Sequence, residues 1–195
     1  MIRIARDDDA AVIHAIYAPV VLHGAATFET ELPGVEAMRE RIRMRLPHYP
    51  WLVWEEEDRV LAYAYAGRFR ERAAYDWMAE TSIYVHADAQ RRGIARRLYG
   101  TLLAVMRLQG INQAIGAITL PGAASVAMHE AMGFTTAGVW RQCGYKLGQW
   151  WDVGLWQKEL QAMQNPPAPV TPFAQLAASL DFHTLSQEPH FLALP

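Results

Sequence analysis

The segment Gln90-Arg91-Arg92-Gly93-Ile94-Ala95 lies between a strand-like stretch that ends near Val85 and a helix-like stretch that starts near Ile94. Amide N–H groups at a helix N-terminus, together with the helix dipole, form a site for a diphosphate. Gly93 and Ala95 keep this turn free of bulky side chains, so phosphate oxygens can approach the backbone. Four side chains add local positive charge: Arg91, Arg92, Arg96 and Arg97. The segment therefore predicts a diphosphate site; the alternative is an arginine-rich helix start that is only solvated.

Composition excludes several classes of protein. The chain has 195 residues, of which 52% are hydrophobic and 19% charged, and its net charge of -2 gives no bias towards nucleic acid or an anionic membrane. A single cysteine, Cys143, excludes an internal disulfide and cysteine-rich zinc patterns, and the histidines show no ligand spacing. The first ten residues are too charged for a signal peptide, and no segment has the length of a membrane span. We therefore expect a cytoplasmic protein with no metal and no nucleic acid or membrane partner.

Hydrophobic periodicity predicts an α+β fold with a central mixed, mostly antiparallel sheet flanked by helices. Strand-like runs occur at 2–5, 51–54, 60–67, 78–85, 111–120, 139–145 and 150–160. Helical spacing occurs at 12–21, 33–46 and 94–106, and Ser125 is expected to cap a short helix that ends at Gly133. The early strands form hairpins and the later ones alternate with helices, which predicts mixed pairing in the sheet.

The composition changes after Leu160, so we divide the chain into a domain at 1–162 and a Pro-rich C-terminal tail at 163–195. Three prolines within 165–169 favour extended backbone. Thr171 and Pro172 are expected to be the N-cap and first residue of a short helix near 172–180. The tail is predicted to pack as an appendage on the domain or on a neighbour.

Two motifs in this order resemble the GNAT superfamily of N-acetyltransferases. The pattern Q-x-x-G-x-A at 90–95 resembles its acetyl-CoA signature, and 125–134 resembles its later helix, which ends in Gly-Phe. The segments 49–53, 64–67, 74–80 and 151–157 are similar to the phosphinothricin / methionine sulfoximine N-acetyltransferases. This likeness runs from about Ile2 to Leu160. It implies a GNAT fold, acetyl-CoA as co-substrate, a homodimer, and a small amino-acid analogue as acceptor, of the phosphinothricin, methionine sulfoximine or methionine sulfone type.

The resemblance also implies which residues contact acetyl-CoA. The turn residues are Arg91, Arg92, Gly93, Ile94, Ala95 and Arg96. The strand before them contributes Ile83, Tyr84 and Val85, and where its end leaves the sheet we expect a free backbone N–H to stabilise the oxyanion. Ser125 is a further contact. Gly122 stands where the family has asparagine, so one side-chain contact to the pantetheine arm is expected to be absent.

Glu80 and His129 are the candidate catalytic residues. Strand alternation places Glu80 on one face of the sheet with Ser82 and Tyr84, and burial there would raise the pKa of its carboxyl towards the range of a working base. In isolation, a glutamate on an edge strand that faces water is the simpler interpretation. The resemblance implies that Glu80 is the general base and that His129 protonates the leaving thiolate or relays protons to Glu80.

Four residues are predicted to bind the acceptor: Phe28, Arg72, Tyr75 and Thr81. An arginine can hold an acceptor carboxylate with two hydrogen bonds, and the resemblance places Arg72, Tyr75 and Phe28 at the acceptor pocket. The alternative for Arg72 is a solvated loop. Trp151 stands where the herbicide-inactivating members have histidine, which makes phosphinothricin itself a less certain acceptor than the amino-acid class.

Two other functions compete with this prediction. A GNAT enzyme that acetylates a protein N-terminus or lysine needs an open peptide groove, whereas the aromatic-rich loops here favour a closed pocket. A non-catalytic acyl-CoA-binding module is compatible with Gly122, but Glu80 and His129 argue against it.

Overall fold

A single seven-stranded sheet forms the centre of the protein, in the order β1-β2-β3-β4-β5-β7-β6, in a computed structural model that describes residues 1–187. The strands are β1 (Ile2–Ile4), β2 (Trp51–Glu56), β3 (Arg59–Arg68), β4 (Met78–Val85), β5 (Gln113–Thr119), β6 (Thr135–Lys146) and β7 (Gln149–Glu159). The helices are α1 (Ala10–His23), α2 (Val35–Arg45), α3 (Ile94–Leu108), α4 (Ala123–Ala131), α5 (Phe173–Leu176) and α6 (Phe182–Gln187). Within the described part, neighbouring strands run antiparallel except β4 and β5, which are parallel. The predicted α+β class and the mixed, mostly antiparallel sheet are confirmed.

The two faces of the sheet carry separate cores. Helices α1 and α2 cover one face, where Ile13, Ile42 and Trp51 are buried together. Helices α3 and α4 cover the other face, where the amphipathic α3, with Leu98 and Leu102 buried, packs against β2, β3 and β4, and α4 packs against β5. Since side chains alternate along a strand, β4 contributes to both cores.

The hairpin between β2 and β3 turns on two residues, Glu57 and Asp58. Both have left-handed backbone conformations, with φ of 49° and 58°. Two successive positive φ angles are typical of a type I′ turn, whose twist matches that of the flanking strands. The structure thus supplies the turn type that the polar sequence alone does not define.

Three predicted helix starts are wrong. Ser125 does not cap α4, because the helix begins at Ala123 after Gly122, which has a left-handed φ of 40°. The second helix begins at Val35 after Gly34, two residues beyond the predicted start. Helix α5 begins at Phe173 with Pro172, not Thr171, at the N-cap position, and no side chain caps it; the Thr171 N–H donates to the Gln109 carbonyl (2.7 Å).

The C-terminal tail packs against the end of the domain. The Phe173 side chain is 1% exposed, and its N–H donates to the carbonyl of His48 (3.2 Å). The Trp77 indole N–H donates to the carbonyl of Ala168 (2.7 Å). A second tail helix, α6, was not predicted and packs against α3 and β1.

No helix within 1–187 is long and apolar enough to cross a membrane. The same residues contain no group of three or more histidine, cysteine, aspartate or glutamate side chains that could hold a metal ion.

Candidate active site

The site is organised by a gap between β4 and β5. The two strands pair only along Met78–Glu80 and Gln113–Ile115; beyond this point β4 stays with β3, and β5 stays with β7. The His86 N–H donates to the Leu61 carbonyl (2.8 Å), which fixes the alternation of the β3–β4 ladder. In this register the N–H groups of Ile83 and Val85 point away from β3, into the gap. Two backbone donors therefore face the space between the separated strands.

The N-terminus of α3 lies beyond the open end of this gap. Gly93 precedes the helix with a φ of 78°, and a Cβ there would meet no atom within 4 Å. The first-turn N–H groups of a helix have no intrahelical partner, so an anion can approach them through this open side. The diphosphate site at this turn stays a prediction, and the open approach to Gly93 is compatible with it.

Two of the four arginines around this turn are held elsewhere. Arg92 forms an ion pair with Glu56 (2.6 Å), and the Arg97 guanidinium lies over the Trp54 ring, 5.0 Å from its centroid. Arg91 and Arg96 are exposed beside the helix start. The positive charge that remains available at this turn therefore comes from Arg91, Arg96 and the N-terminal end of the α3 dipole.

Glu80 lines a cavity of about 410 Å³ on the face of the sheet covered by α1 and α2. The cavity is lined by Tyr17, Ala26, Thr27, Phe28, Glu29, Tyr65, Glu80, Ser82, Tyr84, Ala117, Thr119, Trp140, Cys143 and Val153. The Glu80 side chain is open to solvent at this cavity, but the surrounding protein removes part of its hydration and raises the pKa of its carboxyl. The Arg45 guanidinium acts in the opposite direction and lowers this pKa.

The aromatic wall of the cavity depends on two long-range contacts. The Phe28 ring packs directly over Gly144, where any side chain would overlap it. The buried Lys146 ammonium donates to the carbonyl of Thr27 (2.8 Å), which ties the loop after α1 to the β6–β7 hairpin. Burial lowers the pKa of Lys146. Neither Gly144 nor Lys146 has a local sequence signal, because each acts on a residue far away in the chain.

His129 lies on the opposite face of the sheet. Its Nδ1–H donates to the Ser125 carbonyl (2.8 Å), and its Nε2 lies 3.0 Å from the Tyr99 hydroxyl. A Cβ at Gly116 would lie 2.5 Å from Nε2, so the imidazole rests on the first residue of β5 beyond the paired segment. Burial holds the pKa of His129 below its ordinary value, and the hydrogen bond to the Ser125 carbonyl offsets only part of this effect. His129 thus approaches the gap from one side of the sheet, and Glu80 from the other.

The predicted acceptor residues are not all brought together. Phe28 lines the Glu80 cavity, but Arg72 and Tyr75 do not; they lie in the loop between β3 and β4, where Tyr75 packs edge-on against Phe69 (5.9 Å between ring centroids). Thr81 is 5% exposed and lies on the His129 face, hydrogen-bonded to Tyr99 (2.6 Å). Thr81 therefore belongs to a buried hydrogen-bonded cluster with Tyr99 and His129, and it does not line the Glu80 cavity.

The two departures from the family pattern have structural counterparts. A Cβ at Gly122 would lie 2.5 Å from the Thr119 carbonyl oxygen, so this backbone has no room for a side chain. The Trp151 indole N–H donates to the Lys146 carbonyl (2.9 Å), within the β6–β7 hairpin. Trp151 does not line the Glu80 cavity.

Sequence reasoning missed Tyr99 and Gly116. Tyr99 is a fully buried residue of the amphipathic helix α3. The only signal in the sequence was its phenol hydroxyl, which needs a hydrogen-bond partner when it is buried. Gly116 lies in a strand, where an isolated glycine indicates close approach of another group. Such signals identify candidates but do not identify the partner.

Comparison with known proteins places these features in a family. Residues 2–155 match the model of the acetyltransferase (GNAT) domain. The chain is 38% identical over 175 residues to a phosphinothricin N-acetyltransferase of Streptomyces viridochromogenes, covering 90% of this chain and 95% of that protein. It is 33% identical over 168 residues to an L-methionine sulfoximine/L-methionine sulfone acetyltransferase of Salmonella typhimurium, covering 86% and 98%. The crystal structure of a GNAT superfamily phosphinothricin acetyltransferase from Sinorhizobium meliloti in complex with AcCoA is similar, with a TM-score of 0.81, 32% identity, and coverage of 89% and 97%. The chain belongs to the GNAT family of acetyltransferases.

Proposed function

We propose that this protein transfers the acetyl group of acetyl-CoA to the α-amino group of a small amino-acid analogue. The observation that carries the proposal is the position of Glu80, in an aromatic-lined cavity where β4 and β5 separate. The relatives named above act on phosphinothricin and methionine sulfoximine, which supports an acceptor of this class. Phe28, Trp140 and three tyrosines line the cavity, which supports a small acceptor over a peptide.

The residues around the gap would hold the donor. The exposed turn at Gly93 and the N–H groups of α3 bind the diphosphate, with Arg91 and Arg96 beside them. The thioester carbonyl then lies between β4 and β5, where the N–H of Ile83 or Val85 stabilises the oxyanion. Ser125 is in the first turn of α4, on the His129 side of the gap.

Glu80 would remove a proton from the acceptor ammonium so that the nitrogen lone pair can attack the thioester carbonyl. Its raised pKa brings the carboxylate closer to a working base at neutral pH. The attack forms the C–N bond, and collapse breaks the C–S bond and leaves a thiolate. His129, from the opposite face, protonates this thiolate. Proton transfer from His129 to Glu80 is not part of the proposal, because the two side chains lie on different faces.

Arg72 and Tyr75 stay our candidates for binding the acceptor carboxylate. The residues that line the Glu80 cavity include two carboxylates, Glu29 and Glu80, and no arginine or lysine. A carboxylate in this cavity therefore needs a cation from outside it. Arg72 would either move to the cavity or come from a second copy of the chain.

We propose that the protein is a homodimer. Four large side chains on the β6–β7 hairpin, at the edge of the sheet, are at least 47% exposed: Trp140, Tyr145, Leu147 and Trp150. An exposed aromatic patch on an edge strand is a common site of association. Light scattering at micromolar concentration is expected to give twice the chain mass, and a monomer mass would contradict the proposal. The cytoplasmic location stays a prediction of the sequence.

The test of the proposed function is a thiol-release assay with acetyl-CoA and a panel of amines. Methionine sulfone and methionine sulfoximine are expected to react much faster than the matching decarboxylated amines or a lysine peptide. Phosphinothricin belongs in the same panel. Equal rates with the decarboxylated amines would reject the amino-acid class, and preference for the peptide would reject a small-molecule acceptor.

A further inference from the structure

We propose that Asp152 is a positioning residue that shapes the Glu80 cavity by holding a β-bulge in the edge strand β6. Trp140 of this strand pairs with Val153. The next residue of β6 that pairs is Gly144, so three residues of β6 lie opposite Asp152 alone. Bulges are frequent on edge strands and beside active sites, where they redirect side chains. The bulge would then determine which amino-acid side chain the cavity accepts, a conclusion that rests on the function proposed above.

The Asp152 carboxylate supplies the hydrogen-bond partners that the bulge lacks in the sheet. Its Oδ1 accepts from the Gln142 N–H (2.8 Å), and its Oδ2 accepts from the Arg141 guanidinium (2.7 Å). Gln142 has a left-handed φ of 46°, which residues other than glycine seldom adopt unless surrounding contacts hold them there. Asp152 is itself fixed in the sheet, because the N–H of Leu120, directly after β5, donates to its carbonyl (2.9 Å). A residue anchored in the sheet therefore holds the irregular part of β6.

The bulge creates two features of the cavity wall. Cys143, inside the bulge, lines the cavity together with Trp140. Gly144, directly after the bulge, leaves the space in which the Phe28 ring lies, since a Cβ there would be 2.1 Å from a ring atom. Without the bulge, regular pairing beyond Trp140 would bring Gln142 to the position that Gly144 now occupies. The Gln142 side chain would then overlap Phe28.

The position of this wall bears on the acceptor side chain and not on the reacting atoms. Glu80 lies on β4, and both β5 and β7 lie between β4 and β6. When the acceptor amine is at Glu80, the part of an amino acid that can extend towards Trp140 and Cys143 is therefore its side chain. Asp152 does not line the cavity, so it acts on the acceptor through the bulge.

Four variants separate this role from a general effect on stability. Asp152→Ala and Asp152→Val remove both carboxylate oxygens, and valine keeps a branched side chain that suits a strand. Asp152→Asn keeps one oxygen for the Gln142 N–H and removes the charge. Arg141→Ala removes only the ion pair, which should contribute little because the Arg141 side chain is 76% exposed.

The test compares two acceptors, methionine sulfone and S-methylcysteine sulfone, whose side chain is one methylene shorter. We expect Asp152→Ala and Asp152→Val to raise KM for methionine sulfone by about tenfold, the effect of one misplaced methylene in a pocket, and to change the ratio of kcat/KM for the two acceptors. KM for acetyl-CoA should stay unchanged. Asp152→Asn and Arg141→Ala should behave like the wild type. If the first two variants have lower melting temperatures but a normal KM for methionine sulfone, Asp152 has only a structural role and the inference is overturned.

The reaction of Cys143 with a maleimide reports on the bulge without turnover, because Cys143 is the only cysteine of the chain. We expect faster labelling in Asp152→Ala and Asp152→Val, where the bulge is no longer held, and the wild-type rate in Asp152→Asn. Equal rates in all four proteins would overturn the inference. A wild type that transfers no acetyl group but shows the expected labelling rejects the proposed function alone. An active wild type, with a normal KM and normal labelling in Asp152→Val, rejects the role of Asp152 alone.

Discussion

The guanidinium carbon of Arg45 lies over Gly67, 3.2 Å from the position that a Cβ of this residue would occupy. Gly67 is the register partner of Glu80 on the neighbouring strand, and paired side chains point to the same face of a sheet. Arg45 is held there by stacking on the Tyr65 ring, 4.6 Å from its centroid. The missing side chain of Gly67 thus leaves space for a cation beside the candidate base.

This placement predicts the effect of removing the Arg45 charge. Burial raises the pKa of Glu80 and Arg45 lowers it, so Arg45→Met should raise it further. Because the base works when it is deprotonated, the acidic limb of kcat/KM should move to higher pH, by roughly 0.5–1 unit. Arg45→Lys keeps the charge and should leave the limb close to that of the wild type. An unchanged limb in Arg45→Met would show that the residue has only a packing role.

Glu80→Gln should lower kcat by about 10²–10⁴-fold, the usual effect of losing a general base, with little change in KM for acetyl-CoA. Glu29→Gln is the matched control, since Glu29 is the other carboxylate of the same cavity and pairs with Arg41 (2.7 Å). It should retain far more activity. Steady-state kinetics at neutral pH compare kcat of the two variants. A near-normal kcat for Glu80→Gln would mean that another group deprotonates the acceptor amine.

Gly93→Ala should weaken acetyl-CoA binding by roughly tenfold or more, about 1.4 kcal/mol, because a methyl group then projects into the phosphate approach. Gly110→Ala is the control for backbone strain, since Gly110 also has a positive φ, of 88°, but lies at the far end of α3. Isothermal calorimetry measures both affinities. Equal loss in the two variants would indicate strain and not the site.

Arg72→Ala should raise KM for the amino acid and leave KM for acetyl-CoA nearly unchanged. If Arg72 serves the cavity of a second copy, mixed dimers of Arg72→Ala and Glu80→Gln contain one site with both residues intact. Such dimers, purified through two different tags, should recover activity at low amino-acid concentration, where neither parent is expected to be active. Normal amino-acid kinetics in Arg72→Ala would remove it from the acceptor site altogether.

Phe173→Ala should destabilise the whole domain by about 3–5 kcal/mol, because the ring is buried where the tail packs against the domain. For a chain of this size the melting temperature should fall by roughly 10 °C. Gln175→Ala, on the exposed side of the same helix, should change it little. Thermal melts of both variants test the tail, and an unaffected Phe173→Ala would show that it is an independent appendage.

Patterns among neighbouring residues predicted much of the fold. The alternation along 78–85 placed Glu80 and Thr81 on opposite faces, and the glycine before an amphipathic run located the start of α3. Helix starts failed where glycine changed the path of the backbone, as at Gly122 before α4. The sequence shows that a glycine is present but not which φ it adopts.

By itself, the sequence determined the order of the strands and of helices α1 to α5, the glycine turn before α3, and the faces of β4. These features depend on the periodicity of neighbouring residues and on the backbone freedom of single residues. Only the tertiary structure decided that Tyr99 meets His129, that Arg45 lies beside Glu80, and that Arg72 lies outside the cavity. The first two contacts join residues that are 30 or more positions apart in the chain, whereas Arg72 is close to Glu80 in sequence and still lies outside its cavity. All three relations follow from strand register and helix packing. The spacing of neighbouring residues cannot predict these relations, because each one is established only when the sheet aligns distant segments of the chain.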